Sequence, residues 1–339
     1  MSLEPQIIRE RLEQEEHARL SPYAAFSDRS RGRLRAGETE SPARTCFQRD
    51  TDRITHSKAF RRLMHKTQVF LKPEGDHYRT RMTHTLEVAR IARTIARGLR
   101  LNEDLAEAQA LGHDLGHTPF GHAGEVALTD VMGTPFRHNE QSLRVVDFLE
   151  NDGAGLNLTY ETRMGILGHT GERIPETMEG RIVRLSDRIA YINHDIDDAT
   201  RAGILSNDDI PRAISAVLGW THRDRINTLV VTAIEASGGG EIRLTPEVQK
   251  AMDDLRTFMF ERVYHNPVAK AEESKAKEII RQLYRYYINH PDKLPSDFRP
   301  QLDFEGMPRT VCDYIAGMSD NYAVDVFSRL FIPQGWQLR

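Results

Sequence analysis

Between Glu179 and Ala202, Ile182, Leu185, Ile189, Ile192 and Ile196 recur at steps of three, four, three and four residues. That rhythm keeps one stripe of an α-helix turned toward a core, and a strand, whose side chains change face at every residue, cannot present it. The same spacing runs from His84 through Val88, Ile91 and Ile95, and a shorter version joins Leu143, Val146 and Leu149 in a helix beginning near Asn139. Period-two alternation is scarce, and neither a βαβ rhythm nor an internal repeat is visible. The expected fold is therefore all-α. A chain of 339 residues can form one large domain or a domain with an extension. The stretch SPYAAFSDRSRGRLRAGETESPAR (21–44), rich in Ser, Arg, Gly and Pro, reads as loop, and helical signals begin near Arg49. We divide the chain into an N-terminal arm and loop (1–48), a core (49–205) and a helical C-terminal extension packed on that core (206–339). The extension carries no dense site chemistry.

Two helices can be bounded directly. Asn102 is a suitable N-cap, followed by Glu103 and Asp104 in the first turn, and Gly116 ends that helix with His113 and Asp114 in its last turn. A short helix from about His122 to Met132 stops at Gly133, Thr134 and Pro135.

Composition removes several classes of function. A formal charge of −4 gives no global basic surface for nucleic acid. Cys46 and Cys312 are the only cysteines and lie far apart, which fits a reducing compartment and excludes a thiolate metal cluster. The N-terminal MSLEPQIIRERLEQEEHARL has no apolar run like that of a signal peptide, and no run of about 18 apolar residues occurs. A cytoplasmic protein without membrane contact is expected. Nucleic acid keeps weak support from RSRGRLR (29–35) and KAKEIIRQLYRYY (275–287), which mix cations with aromatics.

Against this background QALGHDLGHTPFGHAGE (109–125) stands out, because six of the fourteen histidines fall between 77 and 138. Imidazoles neither favour helix nor fill cores well, so local propensity does not account for them. His84, the pair His113 and Asp114, and Asp187 come from three separate helices and offer two imidazoles and two carboxylates. That donor set suits Mn²⁺, Fe²⁺, Zn²⁺ or Mg²⁺ with positions left open for water or a phosphate oxygen. Taken singly, an inward histidine such as His84 is more often a hydrogen-bonded core residue than a ligand, Asp187 alone is usually a solvated helix face, and Tyr191 reads equally well as a packing aromatic. Periodicity does not separate these readings.

The series His84, His113-Asp114, Asp187 resembles the H…HD…D signature of HD-domain metal-dependent phosphohydrolases. Three stretches, RDTDRITHSKAFRRLMHKTQVF (49–70), HDLGHTPFGHAGE (113–125) and GRIVRLSDRIAYINHDIDDA (180–199), resemble the deoxynucleoside triphosphate triphosphohydrolases of the dGTPase-like branch. The likeness covers about residues 20 to 205 well and the tail loosely. It implies an HD-domain helical fold and hydrolysis of a dNTP to deoxynucleoside and inorganic triphosphate. Divalent metal would be bound by His84, His113, Asp114 and Asp187. His122 and Glu125, three apart and so on one helix face, match catalytic residues, and such a pair can deliver a proton to a leaving 5′-oxygen. His117 and His138 match the phosphate pocket and join them as catalytic candidates. Substrate contacts are expected from Arg81 and Lys66, among the cations preceding the cluster, and from Tyr191 and Asp195, which match residues under the deoxyribose and at its 3′-hydroxyl. The resemblance also raises a homo-oligomer and a dNTP activator at a second site.

Overall fold

The computed structural model describes residues 5–68, 79–264 and 267–333; Val69, Phe70 and His77, which belong to stretches discussed above, lie outside them. Helices run through the whole of the described chain. They are α1 (Pro5–Arg19), α2 (Cys46–Thr55), α3 (Lys58–Arg62), α4 (Arg81–Gly98), α5 (Glu103–Gly112), α6 (His122–Met132), α7 (His138–Arg144) and α8 (Tyr160–Gly168). These are followed by α9 (Met178–Arg201), α10 (Arg212–Leu218), α11 (His222–Ala236), α12 (Pro246–Met259), α13 (Pro267–Asn289), α14 (Leu302–Glu305), α15 (Met307–Ala316) and α16 (Asp320–Phe331). Only isolated bridges, and no β-strand, occur among the described residues, so the all-α expectation holds. None of the described helices is long and apolar enough to cross a membrane.

Two expectations about boundaries need correction. Helix begins before Arg49, with α1 in the N-terminal segment. The helix capped by Asn102, whose side chain accepts from the Asp104 and Leu105 N–H groups at 3.1 and 3.2 Å, ends at Gly112 rather than Gly116. Gly116 serves packing instead. A Cβ there would lie 2.1 Å from the Ser142 nitrogen and 2.6 Å from the His138 carbonyl oxygen, so the absence of a side chain lets this loop touch the backbone of α7.

The apolar stripes build two cores. Val88, Ile91 and Ile95 of α4 meet Ile182, Ile189, Ile192 and Ile196 of α9, and the same cluster extends to Leu255 and Met259 of α12. Each such buried side chain contributes roughly 1.5–3 kcal/mol relative to exposure. The second core joins Ala127 and Leu128 of α6 to Ile280, Leu283 and Tyr287 of α13, Val311 and Ile315 of α15, and Val326 of α16. Thus α4 and α9 are set by one core and α6 by the other, and the histidine-rich turns lie between them.

Both stretches read as weak support for nucleic-acid binding are engaged by the protein itself. Arg31 lies 3.6 Å over the Tyr160 ring and donates to Glu176, while Arg33 donates to Asp50 Oδ1 at 2.6 Å. On α13, Tyr284 and Tyr287 are buried in the second core.

Candidate metal centre and adjoining cavity

His84 sits in the first turn of α4, whose start is fixed by Thr80 and Thr83 in a reciprocal capping box. His113 and Asp114 follow directly on the end of α5, and Asp187 lies in the third turn of α9. Their ligand atoms converge. His84 Nε2 is 3.2 Å from Asp187 Oδ1 and 3.9 Å from Asp114 Oδ2; His113 Nε2 is 3.4 Å from Asp114 Oδ1 and 3.8 Å from Asp187 Oδ1. His113 Nδ1–H donates to the Ala110 carbonyl at 2.6 Å, which leaves its Nε2 bare, and this buried nitrogen has no hydrogen-bond partner. Burial opposes ionisation of Asp114 and Asp187, but the imidazoles beside them, with Arg81 at Asp114, outweigh it and hold both carboxyls below the usual range. A bare imidazole nitrogen facing ionised carboxylates fits a divalent cation, and His84, His113 and Asp114 present ligand atoms within 4.8 Å of one another.

His169 enters this group although the sequence reading did not select it. Its Nδ1–H donates to the Ile166 carbonyl at 2.7 Å, and with His113 and Asp187 it forms another set of ligand atoms within 4.8 Å. The signal was present in the string. Leu-Gly-His recurs at 111–113 and 167–169, each time ending a helix, and each histidine donates back to the carbonyl three residues earlier.

Beside the first group lies a second, gathered around Glu125. His138 Nδ1 is 2.9 Å from Glu125 Oε1 and His117 Nδ1 is 3.1 Å from the same oxygen, while His117 Nε2 reaches Asp114 Oδ1 at 3.2 Å. Burial works to raise the Glu125 carboxyl, yet the three surrounding imidazoles hold it well below its ordinary range. His122, expected to pair closely with Glu125, stands 3.7 Å away, beyond hydrogen-bond reach, and its side chain is 83% exposed. The turn before it depends on Gly121, at φ +54°, where a Cβ would meet the Arg81 guanidinium at 2.8 Å. Arg81 Nη1 donates to Asp114 Oδ2 at 2.9 Å.

A cavity of about 490 Å³ opens on both groups. Arg81, His84, Asp114, His117, His122, His138 and Asp187 line it, and Tyr191 and Asp195 continue its wall along α9. Asp195 Oδ2 accepts from the Tyr264 hydroxyl, Asp195 Oδ1 has no partner, and burial pushes this carboxyl up to about 7. Lys66 does not line the cavity. Its ammonium is buried and donates to the carbonyl oxygens of His117 and Ala316, so it ties the loop after α5 to the end of α15. Conversely, Arg256, Phe260 and Tyr264 face the cavity, so the extension contributes to its lining. No spacing marks them in the sequence, because α12 and its continuation reach the cavity only through packing against α9.

A family model for the HD domain matches residues 81–192, and one for a phosphohydrolase-associated domain matches residues 242–329. The deoxyguanosinetriphosphate triphosphohydrolase-like protein of Caldanaerobacter subterraneus is 56% identical over 330 residues, 97% of each chain. That of Desulfatibacillum aliphaticivorans is 50% identical over 347 residues, covering 96% of this chain and 98% of its own. Among solved structures, a phosphohydrolase from Bacteroides thetaiotaomicron superposes with a TM-score of 0.51 at 17% identity, covering 83% of this chain and 68% of its own, and bears on the fold alone.

Proposed function

Since the chain belongs to the HD-domain family of deoxyguanosinetriphosphate triphosphohydrolase-like proteins, we propose that it hydrolyses deoxynucleoside triphosphates to deoxynucleoside and inorganic triphosphate. The observation that carries the reading is the continuity of the cavity. The ligand cluster lies at Asp187, and Tyr191 and Asp195 follow on the same helix face, roughly 6 and 12 Å further at a rise of 1.5 Å per residue. A sugar beyond an α-phosphate would lie there.

His84, His113, Asp114 and Asp187 would hold the divalent ion, which when bound supplies Lewis-acid polarisation of a phosphate oxygen and acidifies water. Arg81, buried against Asp114, contributes positive charge where the phosphates enter. His138, held on Glu125 Oε1, and His117, stacked against it, line the phosphate end. As the water oxygen bonds to the α-phosphorus and loses a proton to solvent, the bond to O5′ breaks and His122 gives a proton to O5′, regaining one from solvent. Its exposure into the cavity gives it access to substrate that buried Glu125 lacks. Tyr191 packs under the deoxyribose and leaves little room for a 2′-hydroxyl, and Asp195 meets the 3′-hydroxyl. The same reading places the protein in the cytoplasm as a homo-oligomer, with a dNTP activator at a second site; light scattering with and without dNTP checks the assembly.

The test is incubation with each dNTP and NTP in Mn²⁺ or Mg²⁺, followed by chromatographic identification of products. Intact triphosphate and deoxynucleoside are expected, with ribonucleotides poorer. Release of orthophosphate, or turnover confined to monophosphates or cyclic nucleotides, would assign another phosphohydrolase reaction.

A further inference from the structure

His84 faces α9 with both ring nitrogens. Nε2 faces Asp187 at 3.2 Å, while Nδ1 lies 3.3 Å from Nδ1 of His194. Seven residues separate Asp187 from His194, which is close to two helical turns, so both project toward α4. His194 is buried, and its Nε2 contacts the Glu87 carboxylate, which stands one turn beyond His84 on α4. The ring of His194 is thus clamped between His84 and Glu87. Arg79 Nε approaches the same Glu87 oxygen at 3.5 Å.

This arrangement allows one proton order. An ionised Glu87 can only accept, so His194 carries its proton on Nε2 and presents a lone pair at Nδ1. Two facing imidazole nitrogens share a single proton, so His84 must donate from Nδ1, which leaves its Nε2 bare on the side of Asp114 and Asp187. His113 obtains the same tautomer from the Ala110 carbonyl of its own helix. At His84 the task falls to a neighbouring helix.

We propose that Glu87 and His194 are positioning residues that fix His84 in the ligand tautomer and orientation through a carboxylate–imidazole–imidazole chain. The proposal rests on the metal reading above, and groups of this kind typically change metal affinity by about 10–100-fold. The measurement is Mn²⁺ affinity of the metal-stripped full-length protein by calorimetry, with free Mn²⁺ followed by electron paramagnetic resonance. His194→Leu should weaken binding by about 10–100-fold. His194→Asn, whose amide oxygen can accept from His84 Nδ1, should recover most of that loss. Equal affinity in wild type and His194→Leu overturns the proposal, as does equal weakness of the Leu and Asn variants, which would mark His194 as packing only. If circular dichroism shows that neither His194 variant folds, Glu87→Leu, which removes the acceptor from His194, decides: about tenfold weaker binding supports the chain, and unchanged affinity overturns it. Failure of the wild-type protein to bind Mn²⁺ would instead sink the metal reading itself.

Discussion

Glu125 is touched by three imidazoles, yet only one of them is free to follow a substrate. His117 and His138 share Oε1 at 3.1 and 2.9 Å, whereas His122 stands apart at 3.7 Å from Oε2 and points into the cavity. His122→Ala should therefore keep metal and substrate binding and lose about 10²–10⁴ in single-turnover rate, the usual size of general acid assistance. Near wild-type rates in that variant would move the proton donor to His117 or His138. At this scale the sequence was legible where chemistry and spacing coincide: two imidazoles and two carboxylates on three helices are conspicuous before any packing is known. His169 was marked only by the repeated Leu-Gly-His, and His194 was not legible, because it gains its meaning from what another helix brings against it. Lys66 was read as a phosphate-binding cation since its charge is visible in the string, but its burial under the His117 and Ala316 carbonyls is not.

The helices themselves were read well where a stripe is long. On α9 the isoleucines are buried and the line Asp187, Tyr191, Asp195 faces the cavity, as one face and its opposite must. Termini were harder when a glycine answers to a neighbouring helix, as Gly116 does to α7. The contribution of α16 was also hidden. Its first residue, Asp320, accepts from Thr67 N–H at 2.9 Å, from the Thr67 hydroxyl, and from Phe120 N–H at 3.0 Å, so it holds the chain before α4 and the loop before α6 together. Asp320→Ala leaves those donors, the Thr67 pair buried, without a carboxylate. The expected cost is about 1–3 kcal/mol for each group left unpaired, read from urea unfolding, with turnover falling as the His117–Gly121 loop loosens. Unchanged stability would show that the contact carries no load.

Across the whole molecule, the site occupies the seam between two cores. Helices α4, α5 and α9 bring the ligand cluster from the first, and α6 brings His122 and Glu125 from the second, with Ala127 and Leu128 anchoring its other side. A net charge of −4 gives no general attraction for a triphosphate, so recognition must be local to the cavity. The proposed reaction is attack of water at the α-phosphorus beside His84, His113, Asp114 and Asp187. Hydrolysis of a dNTP in H₂¹⁸O tests it most directly, with each product examined by mass spectrometry and Asp114→Ala as the control. Expected are ¹⁸O in the released triphosphate, none in the deoxynucleoside, and loss of both hydrolysis and bound metal in the variant. Label in orthophosphate, pyrophosphate or the deoxynucleoside, or full turnover by Asp114→Ala, would contradict it.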